Sequence, residues 1–298
     1  MLANAAAIQA AATGYNVLFE RGRTGVSTYY TDFSQTVPST GYAENYQLAP
    51  LGVTIEEWKG DRQIKGVKLF DLTITNTDYE GTFAVPRNAF EDDNLGQFNS
   101  MAAELGIEAA RHPDILAAAL LAGGFASTDT LYGTAFFSNS QPTKDGSNDR
   151  DNLMTGALSA ATFNSAFELL ESMKGYNGQP LNVMGLGKGV DLIVSPASRS
   201  LAEGILVAQL GTGGISNTNY GKARLVVNPY LTGAGWYLAV RGAPRGALIH
   251  QTRREHRLQS ITNPESEDFF YKKRVVYGTD GRYAMGYGCP EMIVGSAG

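Results

Sequence analysis

Apolar and polar positions within residues 53–85 follow the two-residue period of β-strands. In the segment KLFDLTITN, Phe70, Leu72 and Ile74 alternate with polar residues, which is the pattern of a strand with one buried face. The polar residues 76–78 interrupt this alternation, and YEGTFAV then resumes it up to a strand end at Pro86. The segment predicts long extended ribbons joined by polar turns, with little hydrophobic core of their own.

A helical period replaces the strand pattern after residue 97. Its apolar face consists of Phe98, Met101, Ala102, Leu105 and Ala109. Pro113 predicts an interruption, because proline lacks a backbone N–H and restricts the residue before it, His112. Proline is tolerated at the first position of a helix, so we expect a second helix from Pro113 to the Gly123-Gly124 pair.

Helical and strand patterns alternate in the second half of the chain, which is typical of an α/β region. An apolar helical stripe follows Ser159, a residue type that favours the N-cap. The segments VDLIV, ARLVV and WYLAV predict strands. The pair Ser195-Pro196 predicts the start of a further helix that continues to about Leu210.

The two ends of the chain carry less regular patterns. The first 50 residues are Ala-rich and then polar and Tyr-rich, as in STYYTDFSQTVPSTGYAENYQL, so they have little capacity to build a core. They predict an arm that lies across another part of the assembly, or a partly ordered tail. Near the C-terminus, FFYKKRVVYGTDGRYAMGY predicts a hairpin that turns at Asp280-Gly281.

Composition excludes several classes of protein. The 298 residues are 43% hydrophobic with a formal net charge of −5, which supplies a core but no basic excess for wrapping nucleic acid or docking on a membrane. The short basic stretches RREHR (253–257) and KKR (272–274) predict solvated faces or ion pairs between subunits. The single Cys289 precludes an intrachain disulfide and agrees with a reducing compartment. The N-terminus does not resemble a signal peptide, and we expect synthesis in the cytoplasm.

Residues with catalytic or metal-binding chemistry do not form a recognisable motif. His250 and His256 are six residues apart, a spacing that fits neither a helical nor a strand pair of metal ligands, and His112 stands alone. Cys289 has no neighbouring base in sequence. GLGKG lacks the first glycine and the hydroxyl residue of a phosphate loop, and GTGGIS lacks the third glycine of a dinucleotide loop. These histidine, cysteine and glycine-rich motifs thus predict no catalytic residue, cofactor or metal site.

Three consecutive acids, Glu91, Asp92 and Asp93, precede Asn94 and are the remaining candidate. They fit a metal loop, a pair of catalytic carboxylates, or a turn into a helix that begins near residues 95–97. Calcium loops need carboxylates that alternate with other residues, whereas contiguous side chains in a turn diverge. The pattern favours a turn in which Asp93 or Asn94 accepts hydrogen bonds from backbone N–H groups, with the acids near the positive end of the following helix.

Six short segments form an ordered set along the chain. They are EEWKGDRQI (56–64), NTDYEGT (76–82), RNAFEDDNLG (87–96), HPD (112–114), DLIVSP (191–196) and VYGTDGRYAMGYG (276–288). In this order they resemble the major head subunit of Mu-like phages and prophages, a branch of the Hong Kong 97-type capsid fold. The resemblance implies an α+β protein that assembles as hexamers and pentamers into an icosahedral phage head around double-stranded DNA.

The resemblance also implies roles for regions of the chain. Residues 1–50 would be the N-terminal arm, 51–86 the extended β-hairpin loop that overlaps a neighbouring subunit, and 87–154 the peripheral domain with its long spine helix. Residues 155–242 would be the α/β axial domain, and 243–298 the return to the peripheral domain. The acidic stretch would then be the hinge between the extended loop and the spine helix.

The implied partners are the protein itself, a separate scaffolding protein, a portal, decoration proteins, and packaged DNA without sequence-specific contacts. No cofactor and no membrane are implied, and the location is the virion. The candidate assembly residues are Trp58, Gly60, Arg62, Glu80, Gly81, Glu91, Asp92, Asp93, Asn94 and Arg282. Lys59, Lys65 and Lys68 lie in the extended loop, but a covalent lysine–asparagine crosslink is not expected.

Three other interpretations stay open from sequence. An encapsulin-like nanocompartment shares the fold and adds an inner groove for a cargo peptide. An α/β enzyme would act through carboxylates such as Asp92 and Asp93. A tail or decoration protein would form rings or trimers in place of closed shells.

Overall fold

The computed structural model describes residues 5–52, 55, 57–58, 60, 68–210, 214 and 216–298. Its helices are α1 (Ala5–Thr24), α2 (Arg87–Glu91), α3 (Asn99–Gly123), α4 (Ala160–Glu171), α5 (Val183–Leu186), α6 (Arg199–Leu206) and α7 (Glu267–Lys272). Its strands are β1 (Ser34–Pro38), β2 (Ala43–Leu48), β3 (Phe70–Thr75), β4 (Thr77–Pro86), β5 (Leu153–Met154), β6 (Val190–Val194), β7 (Arg224–Val227), β8 (Trp236–Val240), β9 (Leu248–Ser260), β10 (Arg274–Tyr287) and β11 (Ile293–Ser296). None of the helices in these ranges has the length and apolar content to cross a membrane.

The strands in the described ranges form a four-stranded sheet, a five-stranded sheet and a two-stranded pair. Their orders are β1-β9-β10-β4, β5-β11-β8-β6-β7 and β2-β3. In β3, Leu72 and Ile74 are buried and the residues between them are exposed, which confirms the predicted alternation. β4 pairs antiparallel with β10 along its whole length and ends at Pro86, as predicted. The extended segment therefore divides between two sheets.

The first fifty residues contain more regular structure than their composition predicts. α1 buries Ile8, Ala12, Tyr15 and Phe19 on one face and packs along α3. β1 then adds a parallel edge strand beside β9. The expectation that this region has little capacity to build a core is wrong. A helix needs only one apolar stripe to pack, and the composition of this Ala-rich segment does not reveal that stripe.

Two glycines bring α1 and α3 into backbone contact. A Cβ on Gly106 would lie 2.9 Å from the carbonyl carbon of Phe19 and 3.0 Å from the backbone nitrogen of Arg23. A Cβ on Gly22 would overlap the carbonyl oxygen of Ala103. The helices approach this closely because both positions lack a side chain.

α3 continues through Pro113 as one helix of 25 residues, so the predicted break and second helix are wrong. Pro113 is buried, and the carboxylate of Asp114 beside it accepts hydrogen bonds from the backbone N–H groups of Tyr29 (2.9 Å) and Tyr30 (2.8 Å). A proline inside a helix removes one backbone hydrogen bond, and this buried packing offsets the loss. The helix ends at Gly123, as the glycine pair predicted.

β10 is a single strand of 14 residues, so the hairpin predicted at Asp280-Gly281 is wrong. It pairs antiparallel with β9 on one edge and with β4 on the other. Asp280-Gly281 lies at a register shift between β10 and β9, the position of a β-bulge. A Cβ on Gly281 would lie 2.6 Å from the His256 ring, so this glycine makes room for a packed ring and does not form a turn.

The α/β region forms around the five-stranded sheet. β6 and β8 are buried at every residue, and with β7 they confirm the strands predicted from VDLIV, ARLVV and WYLAV. Ser159 caps α4, as predicted, by accepting a hydrogen bond from the N–H of Thr162 at 3.1 Å. Ser195 does not cap a helix with its side chain; its hydroxyl donates to the carbonyl of Gly233 at 2.7 Å, and α6 ends at Leu206.

This sheet extends beyond residues 155–242. β5 pairs parallel with β11, and β11 pairs antiparallel with β8. Cys289 is buried shortly before β11, where its N–H donates to the carbonyl of Gly246 at 3.0 Å. The chain therefore returns to the five-stranded sheet at its C-terminal end, after contributing β9 and β10 to the four-stranded sheet.

Candidate assembly surfaces

The acidic stretch forms the end of one helix and does not cap the next. α2 ends at Glu91, which forms an ion pair with Arg87 at 2.7 Å. Asp93 follows in the left-handed conformation with φ of 56°, and the N–H of Asn94 donates to the carbonyl of Ala89 at 2.9 Å, the hydrogen bond of a Schellman turn. α3 and the short turn before it have no side-chain cap. The predicted capping by Asp93 or Asn94 is therefore wrong, because the left-handed residue alone turns the chain.

The acids of this turn do not converge with other ligand side chains of the described residues on a metal site. Residues 91–94 are all exposed to solvent. Throughout the part of the chain that the structure describes, no group of three or more His, Cys, Asp or Glu side chains is placed to hold a metal ion. The acidic turn (residues 91–94) lies between β4 and α3 along the chain, and its carboxylates are at the surface.

Replacing Asp93 tests this turn. Asp93→Gly is expected to leave the free energy of unfolding unchanged or slightly higher, because glycine adopts the left-handed conformation without steric cost. Asp93→Val is expected to cost about 1–2 kcal/mol, since a β-branched residue is strained there. Urea denaturation of both variants measures the difference, and equal stabilities would contradict the left-handed turn.

The candidates Glu80 and Arg282 lie on the same face of the β4–β10 pair. Glu80 is opposite Asp280 in the strand register. The Nε atom of Arg282 lies 3.8 Å from the carboxylate of Asp78, and Arg254 of β9 pairs with Asp280. This face of the four-stranded sheet therefore carries interleaved charges of both signs, a pattern suited to polar contacts with another chain.

The other candidate residues have different surroundings. A Cβ on Gly81 would lie 2.6 Å from Cδ1 of Leu105, so this glycine serves the packing of α3 on β4. Trp58 is 74% exposed, and its indole N–H donates to the carbonyl of Gly60. Lys68 lies with its Nζ 4.6 Å from the centroid of the Phe70 ring. The residues that fall outside the described ranges are Lys59, Arg62 and Lys65.

α7 presents an aromatic surface that the sequence patterns did not indicate. Phe269 is buried beneath the Arg87 guanidinium, 5.3 Å from the ring centroid, whereas Phe270 and Tyr271 are 71% and 76% exposed. The N–H of Arg87 donates to the carbonyl of Lys273 at 2.8 Å, which places the end of α7 beside the start of α2, the helix that leads into the acidic turn. The available signal was the run FFYKK, because a helix this short cannot bury three consecutive aromatic residues.

A buried ion pair fixes the loop before β5. Nη1 of Arg150 lies 2.5 Å from Oε1 of Glu291, and the two side chains are 1% and 2% exposed. The Tyr132 hydroxyl donates to the same oxygen at 2.6 Å, and the guanidinium also donates to the carbonyl of Pro142. Burial, assisted by the Glu291 carboxylate, raises the pKa of Tyr132, so the phenol stays a neutral donor. The ion pair is closed to solvent and is structural.

Comparison with known proteins gives the relatives of this chain. The family described as "Mu-like prophage major head subunit gpT" matches residues 8–155, 152–231 and 232–298. The chain is 26% identical to the major capsid protein of Escherichia phage Mu over 298 residues, which cover 100% of this chain and 76% of that protein. The matches together span almost the whole chain.

Solved structures show the same fold. The procapsid of bacteriophage JBD30 superposes with a TM-score of 0.61 at 24% identity, covering 98% of this chain and 75% of that chain. The capsid of JBD30 decorated with minor capsid protein trimers gives a TM-score of 0.53 at 21% identity, covering 70% of this chain and 92% of that chain. The architecture is thus the Hong Kong 97-type capsid fold that the resemblance implied.

The fold and the family match together define a subunit of a phage capsid shell. The chain belongs to the Mu-like prophage major head subunit family. It is a major capsid protein and a structural component of the virion. The interpretation as an enzyme that acts through Asp92 and Asp93 is therefore wrong.

Proposed function

We propose that this capsid subunit forms hexamers and pentamers that close into an icosahedral shell around double-stranded DNA. The observation that supports this best is the exposure of large apolar side chains in two segments. Ile55 and Trp58 follow β2, and Phe270 and Tyr271 lie on α7. Large exposed apolar groups mark interaction sites, and the contacts of an obligate assembly bury them between chains.

The regions of the chain are proposed to divide the roles in assembly. Residues 1–50 act as an N-terminal arm, although α1 packs on α3 of its own subunit, and residues 51–86 form the extended loop that overlaps a neighbour. The peripheral domain consists of 87–154 apart from β5, together with β9 and β10 of the four-stranded sheet. The axial domain consists of 155–242 completed by β5 and β11, because both strands belong to its sheet.

The acidic turn and α7 are proposed to form one contact between subunits. They adjoin the same end of the β4–β10 pair. The acidic turn carries exposed carboxylates, and the basic Lys272 and Lys273 directly follow the exposed Phe270 and Tyr271. A surface with an apolar centre and both charge signs at its rim is complementary to another copy of itself. The charged face around Glu80 and Arg282 is proposed as a second contact.

Polar replacement of the aromatic pair tests the first contact. Phe270→Ser together with Tyr271→Ser is expected to leave the fold intact, because both side chains are exposed, and to lower the yield of closed shells by about tenfold or more. Negative-stain electron microscopy, after expression with the scaffolding protein, measures that yield.

Exchange of the two aromatic residues is the matched control. Phe270→Tyr with Tyr271→Phe keeps the aromatic surface and is expected to assemble normally. Normal shells from the serine variant would contradict the contact at α7. Absence of shells and capsomers from the unchanged protein would contradict the assembly into hexamers and pentamers.

The further partners are proposed from the resemblance. They are a separate scaffolding protein, a portal, decoration proteins, and DNA held without sequence-specific contacts. The minor capsid protein trimers on the JBD30 capsid support a decoration partner here. The formal net charge of −5 favours a shell interior that neither condenses DNA nor reads its bases.

A further inference from the structure

The three histidines of the chain are far apart in sequence but converge on one tyrosine. The hydroxyl of Tyr283 in β10 lies 2.7 Å from Nδ1 of His112 in α3 and 3.4 Å from Nε2 of His256 in β9. The ring centroid of His250, also in β9, lies 5.8 Å from that of Tyr283. His112, His250, His256 and Tyr283 together form the histidine–tyrosine cluster.

Two more tyrosines close the cluster from other elements. The ring of Tyr79 in β4 lies 4.4 Å from His112 and 4.7 Å from Tyr283, centroid to centroid. The ring of Tyr30, in the segment between α1 and β1, lies 4.9 Å from His250. The cluster therefore lies where α3, the segment of Tyr30 and three strands of the four-stranded sheet meet.

The cluster offers few acceptors to a charged imidazole. A neutral imidazole has one donor and one acceptor nitrogen, whereas the protonated ring has two donors. His256 contacts the hydroxyls of Thr279 (3.2 Å) and Tyr283. His250 has the Thr252 hydroxyl at 3.5 Å, and its Nε2 has no hydrogen-bond partner within the described residues. Burial lowers the pKa of all three histidines, that of His250 to about 4.

Charged and titratable side chains of both signs face the cluster from every element around it. They are Glu108 and Asp114 of α3, Arg23 of α1, Arg254 and Glu255 of β9, Asp280 of β10, and the phenols of Tyr79 and Tyr30. Burial is the largest influence on the pKa of His112 and of His256, and it outweighs the opposing effects of Glu108 and Asp280. The surrounding carboxylates therefore do not hold the imidazoles in their charged form.

We propose that the histidine–tyrosine cluster is a proton-sensitive joint, which holds α3 and the Tyr30 segment on the four-stranded sheet at neutral pH and releases them in acid. Three positive charges in one cluster repel each other, and each needs an acceptor that the cluster does not supply. Release lets α3 shift relative to the sheet, as protonated histidine clusters do in other pH-sensing proteins. The joint belongs to the single subunit, so it does not depend on the proposed hexamers and pentamers.

The sign of the pH dependence follows from the neutral resting state. Folding lowers the pKa of His250 from 6.5 to about 4, so the stability that depends on neutral His250 is complete above pH 6.5 and is lost as the pH falls toward 4. Asp114 acts in the opposite direction, because burial raises its pKa and its protonation in acid favours the folded state. Titration of Asp114 therefore does not produce the release.

Hydrogen exchange measured by mass spectrometry locates the release in the unmodified full chain. Exchange rates are measured at pH 7.5 and pH 5.0, and each is divided by the intrinsic rate at that pH. The corrected rate at pH 5.0 should exceed that at pH 7.5 by about tenfold or more in peptides 108–116, 248–257 and 279–285. Peptides from β6 and β8 contain no histidine and should change by less than about twofold. An equal change in both sheets, or no change in the cluster peptides, would overturn the proposal.

His250→Phe removes one titrating ring and keeps a ring of similar size beside Tyr30 and Tyr283. This variant should match the unchanged protein at pH 7.5 and show an acid response about fivefold smaller. Tyr283→Phe is the control, because it removes the hydroxyl between His112 and His256 but leaves all three titrating rings. It should raise exchange at both pH values and keep the acid response. A full acid response in His250→Phe would also overturn the proposal.

Discussion

Gly106→Val is expected to displace α1 from α3 and to lower the free energy of unfolding by about 3 kcal/mol or more. The new side chain would meet the backbone of Phe19 and Arg23, and backbone in a packed helix cannot move aside as a flexible side chain does. α1 must then separate, which exposes the buried Ile8 and Tyr15. Urea denaturation followed by circular dichroism measures the stability, and limited proteolysis measures the exposure of α1.

Gly14→Ala is the control, on α1, the helix that packs against Gly106 of α3. A Cβ at Gly14 meets nothing within 4 Å, so alanine is expected to raise the free energy of unfolding by about 0.5–1 kcal/mol through its higher helix propensity. If Gly106→Val is as stable as the unchanged protein, the close contact between α1 and α3 is incorrect.

Arg150→Met is expected to lower the free energy of unfolding by about 3–5 kcal/mol, because it leaves the Glu291 carboxylate buried without its cation. Oε1 of Glu291 keeps the Tyr132 hydroxyl as a donor, but Oε2 has no hydrogen-bond partner in the described residues to compensate. The double variant Arg150→Met with Glu291→Leu should recover much of this loss, since two apolar side chains need no partner. A double-mutant cycle by urea denaturation measures the coupling.

Lys174→Met provides the comparison for an exposed ion pair. Lys174 Nζ lies 2.6 Å from the Asp149 carboxylate, and the two side chains are 42% and 47% exposed. Its loss is expected to cost less than about 1 kcal/mol. A similar cost for Arg150→Met and Lys174→Met would mean that the pair of Arg150 and Glu291 is not closed to water in solution.

The elements that sequence patterns predicted correctly are those set by neighbouring residues. The alternation in β3, the buried strands β6 and β8, and the Ser159 cap each depend on a few consecutive positions. The ordered segments also predicted the capsid fold, because the family relation runs through most of the chain.

The elements that were mispredicted depend on residues distant in sequence. α1 is stabilised by its contact with α3, and α3 passes Pro113 because the packing around it is fixed by the segment of Tyr29. An Asp-Gly pair forms a hairpin when its two flanks pair with each other, but the flanks of Asp280-Gly281 pair with β9 and β4. No local pattern specifies these partners.

The surfaces were predicted less completely than the fold. The turn at the acidic residues was predicted from sequence, but the predicted side-chain cap was not. The left-handed conformation of Asp93 turns the chain there. The aromatic pair of α7 and the histidine–tyrosine cluster were not predicted, because exposure and convergence are properties of the folded chain. The spacing of His112, His250 and His256 along the sequence carries no sign that one tyrosine of β10 lies among them.

β10 also connects the four-stranded sheet to the hydrophobic core around the five-stranded sheet. It is hydrogen-bonded on both edges and ends at Tyr287, whose hydroxyl donates to the carbonyl of Leu120 at 2.8 Å. The Tyr287 ring lies 4.6 Å from that of Phe136, and both rings belong to the hydrophobic core that includes the buried residues of β6 and β8. Such a strand cannot slide along its neighbours, because a one-residue slip in register would turn every side chain to the opposite face of the sheet. The strand can bend at the bulge beside Gly281, where the regular pairing with β9 is interrupted. Force applied along β10 is therefore expected to bend the strand at this bulge before it shifts the strand register.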